Sequence, residues 1–213
     1  MLGLRFLSTI VLLPPVILVT YYGHPYFEVM TALFALVMAL EWDRMCRRHP
    51  GWLVVGALYI GAPVAALLWL RAVAGMETVF WLFVVVWATD IAAYLVGRLV
   101  GGPLLAPAIS PKKTWSGAVG GITAAVAVGY GTAAVLHTSG VVVIMLASVG
   151  VSIIAEAGDL LESKMKRRFG VKDSGRIIPG HGGVLDRVDG LLTAAPFAAV
   201  GVWFAGGGVL LWR

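Results

Sequence analysis

The chain has 213 residues, of which 60% are apolar and only 13% charged, with a formal net charge of +5. A mean hydropathy of +0.92 excludes an ordinary soluble domain and points to a polytopic membrane protein. Its single cysteine, Cys46, excludes an intrachain disulfide.

Apolar runs of about 20 residues, each enough to cross roughly 30 Å of hydrocarbon, fall at about 4–22, 26–45, 52–71, 78–99, 115–136, 140–161 and 190–211. The expected fold is therefore all-α: a transmembrane helical bundle of about seven spans, forming one integral membrane domain over 1–213 with N-terminal helices over 1–75. The first run follows Arg5 but lacks a small-residue cleavage site before a polar mature domain, so it reads as a retained helix rather than a signal peptide. Pro14 and Pro15 within it predict a kink or break. Glycines are spread through the spans, where small residues allow close helix contact.

Lys and Arg accumulate in cytoplasmic loops. With the N-terminus inside, 14 of the 16 basic residues fall on the cytoplasmic side, leaving only Arg71 and Arg213 outside. That asymmetry agrees with seven spans and predicts an inner-membrane protein whose most charged loop faces the cytoplasm. Basic loop residues often do no more than fix topology and touch anionic headgroups, and Arg44, Arg47 and Arg48 read that way.

Ionisable residues at membrane depth cost several kcal/mol unless paired or hydrated. Four acids qualify: Glu41, Asp90, Glu156 and Asp159. Glu41 is followed by Trp42, Asp43 and Arg44 and is expected at the interface as a solvated helix end. Helical spacing puts Asp90, Tyr94, Gly97 and Arg98 on one stripe, which either glues helices together or borders a polar cavity. Residues Ser152, Glu156, Asp159, Ser163 and Lys166 share a face of the sixth span. A polar stripe of this kind reads as the lining of a hydrated cavity.

Two cytoplasmic segments would meet the stripe. In GGPLLAPAISPKKTWSG, Ser110 is placed as an N-cap and Pro111 as the first helical residue. Lys112 and Lys113 would then stand at a helix start that favours anions, as a phosphate site or as topology markers. The second segment, 163–189, packs ten charged residues and His181 into 27 positions. Lys166, Arg167 and Lys172 can neutralise a polyphosphate, and Gly180, Gly182 and Gly183 permit backbone amides to converge on an anion. His181 suits a hydrogen-bond donor to phosphate or backbone. Asp159, Asp186 and Asp189 supply hard oxygen ligands of the kind Mg²⁺ takes alongside substrate phosphates. Cations and carboxylates mixed this closely suit a metal–nucleotide complex.

The pattern Ser163, Lys166-Arg167, Lys172-Asp173, Gly175, Pro179, His181-Gly182-Gly183, Asp186-Arg187 and Asp189 resembles the signature of the phosphatidate cytidylyltransferases, or CDP-diacylglycerol synthases. GDLLES at 158–163, SPKKTWSG at 110–117 and the Asp90 and Arg98 segments are similar to further family segments in the same order. The similarity covers roughly 88–190, the expected catalytic part; the N-terminal half is shorter than in many members. The resemblance implies transfer of a cytidylyl group from CTP to phosphatidate at the bilayer surface, giving CDP-diacylglycerol and pyrophosphate in phospholipid biosynthesis. It implies Mg²⁺ on Asp159 and Asp186, K⁺ as a second cation, no nucleic-acid partner and a homodimer. Lys166, Arg167 and Lys172 would act with the two acids. Asp90, Lys112, Lys113, Ser163, Asp173, His181, Gly182, Gly183, Arg187 and Asp189 would bind substrate. Rival readings are another CTP-dependent lipid enzyme, such as a polyprenol kinase or a CDP-archaeol-type synthase, and a small transporter. The HGGxLDRxD end of the signature favours the first reading over the other CTP-dependent enzymes, and a transporter does not need a cytoplasmic Gly-rich loop with six cations.

Overall fold

A computed structural model describes residues 13–47, 49–175, 177 and 182–205. The described helices are α1 (Leu13–Tyr22), α2 (Tyr26–Met45), α3 (Pro50–Val73), α4 (Gly75–Val100), α5 (Trp115–Val135), α6 (Val141–Arg168) and α7 (Leu185–Phe204). Four of them, α3 to α6, are long and apolar enough to cross a membrane. The expected count of seven spans is thus supported for four. Of the others, α1 is described over ten residues, α2 carries Glu28, Glu41, Asp43 and Arg44, and α7 opens with Asp186, Arg187 and Asp189. Pro14 and Pro15 lie within the described part of α1, and the residues before Leu13, where the expected kink would be judged, lie outside the described residues.

Helix α4 packs on α5, α5 on α6, α6 on α7, α7 on α3 and α3 on α2, with α4 also touching α6 and α7. Large apolar side chains such as Leu58, Ile91, Val119 and Leu146 point outward, as expected where hydrocarbon rather than water surrounds the bundle. Polar side chains instead join helices inside it. Trp81 Nε1 donates to Ser148 Oγ at 3.0 Å, Thr89 Oγ1 to Ser152 Oγ at 3.0 Å and Thr193 Oγ1 to the Ile154 carbonyl at 2.9 Å. Such bonds contribute on the order of 0.6 kcal/mol each between membrane helices. Arg71 extends from α3 to the end of α1, where its guanidinium donates to the Thr20 and Tyr21 carbonyls at 3.0 and 3.3 Å. A cation there satisfies carbonyls that the helix leaves open.

Helix α5 buries Gly117, Gly121, Ala125, Gly129 and Ala133, one small residue per turn on a single face, which brings it close to α4 and α6. A Cβ at Gly121 would lie 2.7 Å from Glu156 Oε1 and 3.1 Å from the Thr89 carbonyl. Replacing Gly121 by Ala is therefore expected to destabilise the protein by about 1–3 kcal/mol, the usual cost of overpacking. Thermal unfolding in detergent would check this, and an unchanged melting temperature would mean that α4 and α6 yield at this point.

The segment between α4 and α5 departs from expectation. Gly101 and Gly102, at φ +67 and +109, turn the chain out of α4. A hairpin then forms from β1 (Leu104–Ala106) and β2 (Ser110–Thr114), antiparallel, with Leu104 opposite Thr114 and Ala106 opposite Ser110. Ser110 is thus a strand residue rather than an N-cap, and Lys112 and Lys113 lie on β2 rather than in a first helical turn. Pro111 disfavours helical backbone at the residue before it, and the cap comes four residues later. Thr114 Oγ1 accepts from the Gly117 amide at 3.1 Å, and the Ser116 hydroxyl donates to the Gly101 carbonyl, closing the base of the hairpin. The bundle is otherwise all-α, as expected.

Candidate active site

At the end of the bundle that carries the hairpin, the C-terminal part of α4, the middle and end of α6 and the head of α7 enclose a cavity of about 710 Å³. Asp90, Tyr94, Gly97 and Arg98 all line it from α4, so the stripe borders a cavity rather than merely gluing helices. Arg98 donates to the Tyr94 hydroxyl at 2.8 Å. Glu156, Asp159 and Lys166 line it from α6, Lys112 and Lys113 from β2, and Asp186, Arg187 and Asp189 from α7. Asp173 reaches it from the loop after α6. Residues spread over a hundred positions of chain thus converge, because the polar stripe of α6 faces inward along its whole lower half.

Asp159 and Asp186 are arranged alike. Asp159 Oδ1 accepts from Ser163 Oγ at 3.4 Å, while its Oδ2 lies 2.5 Å from Lys113 Nζ. Asp186 Oδ2 accepts from the Ser174 amide, the Ser174 hydroxyl and the Gly183 amide at 2.9, 2.9 and 2.8 Å. Its Oδ1 accepts from Lys166 Nζ at 2.7 Å. In each carboxylate one oxygen accepts from the protein, from three donors at Asp186 and from one at Asp159, and the other meets an ammonium at the cavity. Lys166 also donates to Glu162 Oε2 at 2.8 Å, and Glu162 is fully buried. A buried ammonium between two acids offsets part of the cost of holding charge away from water.

The remaining predicted residues divide. Ser163 acts on Asp159 and does not line the cavity. Arg167 is exposed and donates to the Val171 carbonyl at 3.4 Å, and Lys172 is exposed outside the cavity lining. Both are off the site because α6 ends at Arg168 and the chain turns at Gly170, φ +70. Gly182 and Gly183 also lie outside the lining. The Gly183 amide is occupied by Asp186, so it serves a protein carboxylate where an approach to phosphate was expected. Gly182 is at φ +86, and a Cβ there would lie 2.7 Å from Asp186 Oδ2. His181 lies outside the described residues.

Glu41 corrects a further expectation. It is completely buried, not a solvated helix end. Its Oε1 accepts from the Val184 amide at 3.0 Å and its Oε2 from the Leu185 amide at 2.9 Å. Those amides open α7 and have no partner within the helix, and α2 is fixed beneath them by aromatic packing. Trp42 Nε1 donates to the Trp52 carbonyl at 2.7 Å, and Phe169 packs edge-on against both indoles. Arg168 lies over the Trp52 ring at 5.2 Å.

Sequence reasoning missed Glu162, Ser174 and the role of Glu41. Glu162 stands four residues before Lys166, a spacing that pairs opposite charges on a helix and was visible. Glu41 meets its amides across more than 140 residues, which no local pattern announces. Among the described residues, no three His, Cys, Asp or Glu side chains cluster closely enough to hold a metal by themselves. A cation here would be shared with a ligand, as Mg²⁺ commonly is.

The sequence model of the cytidylyltransferase family matches residues 49–205. A protein of Brucella suis biovar 1 (strain 1330) named phosphatidate cytidylyltransferase is 48% identical over 163 residues, covering 76% of this chain and 59% of the relative. Proteins of the same name from Rickettsia bellii (strain RML369-C) and Rickettsia felis (strain ATCC VR-1525 / URRWXCal2) are 38% and 37% identical over 208 and 209 residues. Each is covered to 88% of its length, and they account for 92% and 91% of this chain. The chain thus spans about three fifths of the Brucella relative and most of the Rickettsia ones. A match over this much of the chain, including every element that lines the cavity except where α2 supports it, shows that the chain belongs to the cytidylyltransferase family.

Proposed function

We propose that the chain transfers the cytidylyl group of CTP to phosphatidate, giving CDP-diacylglycerol and pyrophosphate. The observation that carries this reading is the paired arrangement at Asp159 and Asp186, two carboxylates each offering one oxygen to a cation at the mouth of a membrane bundle. The names of the relatives supply the substrates. In the reaction a phosphate oxygen of the lipid bonds to the α-phosphorus of CTP, and the bond from that phosphorus to the bridging oxygen of pyrophosphate breaks. The attacking phosphate is ionised near neutral pH, so no strong general base is required. Catalysis then rests on positioning and on stabilising charge.

The residues divide that work. Asp159 and Asp186 would hold Mg²⁺ in the places now taken by the Lys113 and Lys166 ammonium groups, and their hard oxygens suit that ion. When bound, Mg²⁺ would neutralise charge on the phosphates and on the departing pyrophosphate. Lys113 and Lys166, relieved of their carboxylates, would turn to phosphate oxygens in the same cavity. Lys112, Arg98 and Arg187 extend this cationic surface. Arg187 also borders a second, apolar hollow of about 120 Å³ between α2, α3, α4 and α7, which puts it at the boundary between polar and apolar surroundings, where a lipid phosphate lies. K⁺, the second cation implied by the resemblance, would have to take most of its oxygens from substrate, with Asp90, Glu156 or Asp189, none of which is ion-paired among the described residues, supplying one of them. The basic end of the bundle would face the cytoplasm from the inner membrane, with nucleotide entering from water. A homodimer is the expected assembly, checked by light scattering in detergent.

The test is a reaction of purified protein with phosphatidate and CTP labelled at the α or the γ phosphorus, with and without Mg²⁺. Label from the α position is expected in lipid, and only with Mg²⁺. Label from the γ position in lipid would identify a kinase and end this reading. Flux of phosphatidate across vesicles without CTP turnover would end it in favour of a transporter.

A further inference from the structure

From Glu41 a chain of contacts leads to the cavity. Its two carboxylate oxygens take the Val184 and Leu185 amides, and the next amide toward the N-terminus, that of Gly183, goes to Asp186 Oδ2. Two carboxylates therefore share the positive end of α7, where free amides and the helix dipole favour negative charge. Ser174 lies between them, with its hydroxyl 2.9 Å from Asp186 Oδ2 and 3.4 Å from Glu41 Oε2. One hydroxyl carries one proton, so the shorter contact to Asp186 takes it. The backbone closes around Glu41 from two sides. A Cβ on Gly175 would lie 2.5 Å from Oε1, and one on Gly183 would lie 2.6 Å from Oε2. Glycine at 175 and 183 thus reads as space for the Glu41 carboxylate.

We infer that Glu41 is a positioning residue for Asp186: by occupying the Val184 and Leu185 amides it keeps the Asp186 carboxylate turned so that Oδ1 faces the cavity. Without Glu41, two buried amides lack acceptors, and an unsatisfied buried donor costs about 1–3 kcal/mol. Asp186 is the remaining acid of that turn, and swinging toward those amides would satisfy them while withdrawing Oδ1 from the cavity. Glu41 belongs to α2, outside both the 88–190 signature and the 49–205 family match. It therefore adds to the site a residue that neither assigns.

The inference rests on the proposed role of Asp186 as a cation ligand, and its test separates the two. Binding of Mn²⁺, used as a paramagnetic stand-in for Mg²⁺, is measured by electron paramagnetic resonance on purified wild type, D186N, E41Q and E41D. Turnover is recorded as kcat and KM for CTP. Glutamine keeps the shape of Glu41 but sets an NH₂ against one of two amide donors. E41Q is expected to bind Mn²⁺ about 10–100-fold more weakly, the usual effect of losing an outer-shell partner, with kcat lowered in step and KM for CTP little changed. A purely structural role would lower the melting temperature and the active fraction while leaving Mn²⁺ affinity at the wild-type value, and that result in folded E41Q overturns the inference. If E41Q does not yield folded protein, E41D decides, because its shorter side chain keeps the charge but withdraws it from the Val184 and Leu185 amides. Weaker Mn²⁺ binding there supports the inference, and wild-type binding overturns it. Wild-type Mn²⁺ binding by D186N would overturn the ligand role of Asp186 and the inference with it, whereas weakened binding by D186N with E41Q unchanged removes Glu41 alone.

Discussion

Replacing Asp186 by Asn is expected to leave a folded, membrane-inserted protein that turns over at least about a hundredfold more slowly in Mg²⁺, a loss above the range typical of an outer-shell partner. The geometry explains why fold and activity should separate. Three donors, from Ser174 and Gly183, converge on Oδ2, so the asparagine oxygen settles there and the cap on α7 survives. The asparagine NH₂ then replaces Oδ1 and meets Lys166 and the cavity, where a cation ligand is required. Lys166 keeps Glu162 as a partner at 2.8 Å, so no buried cation is stranded. The check is kcat at saturating CTP beside a thermal unfolding curve. Activity near wild type would remove Asp186 from the cation site, and a collapse in stability would make its role architectural.

How much of this was legible in the sequence depended on the range of each signal. The stripe through Ser152, Glu156, Asp159 and Lys166 repeats with the helical period, so its inward face could be read directly. The Asp90 stripe was readable for the same reason. Lys112 and Lys113 line the cavity, from β2 rather than from the helix start that the sequence suggests. Ser110-Pro111 mimics a helix start, and the competing hairpin is a tertiary pairing with Leu104–Ala106. Arg167 and Lys172 share the composition of the site but not its geometry, because composition does not show where α6 stops. Glu41 was recognised as an anomaly and given the wrong setting. Its partners are the Val184 and Leu185 amides, and an acid after an apolar run looks the same at a membrane interface and beneath the head of another helix.

Lys166 joins the two halves of the site, and its removal is the severest single change the structure identifies. It stands between Glu162, fully buried, and Asp186, 8% exposed. Glu162 Oε1 has no hydrogen-bond partner among the described residues, where that side chain depends on Lys166 for both charge and hydrogen bonding. Lys166→Met fills the same volume and removes the cation, leaving a buried acid without its ion-pair partner. Breaking such a pair from one side costs about 3–5 kcal/mol, and the expected result is a large fall in melting temperature together with loss of turnover. A second substitution separates these effects. In the double variant K166M/E162Q the stranded acid is gone and a neutral amide lies beside a thioether, so stability should recover by at least about half of that loss. Turnover should not recover, because the ammonium that faces Asp186 and the cavity is still missing. Thermal unfolding and CTP turnover of the two variants test both halves at once. A double variant as unstable as K166M would mean that Lys166 stabilises through Asp186 rather than Glu162, and restored turnover would place Lys166 in the architecture and outside the chemistry.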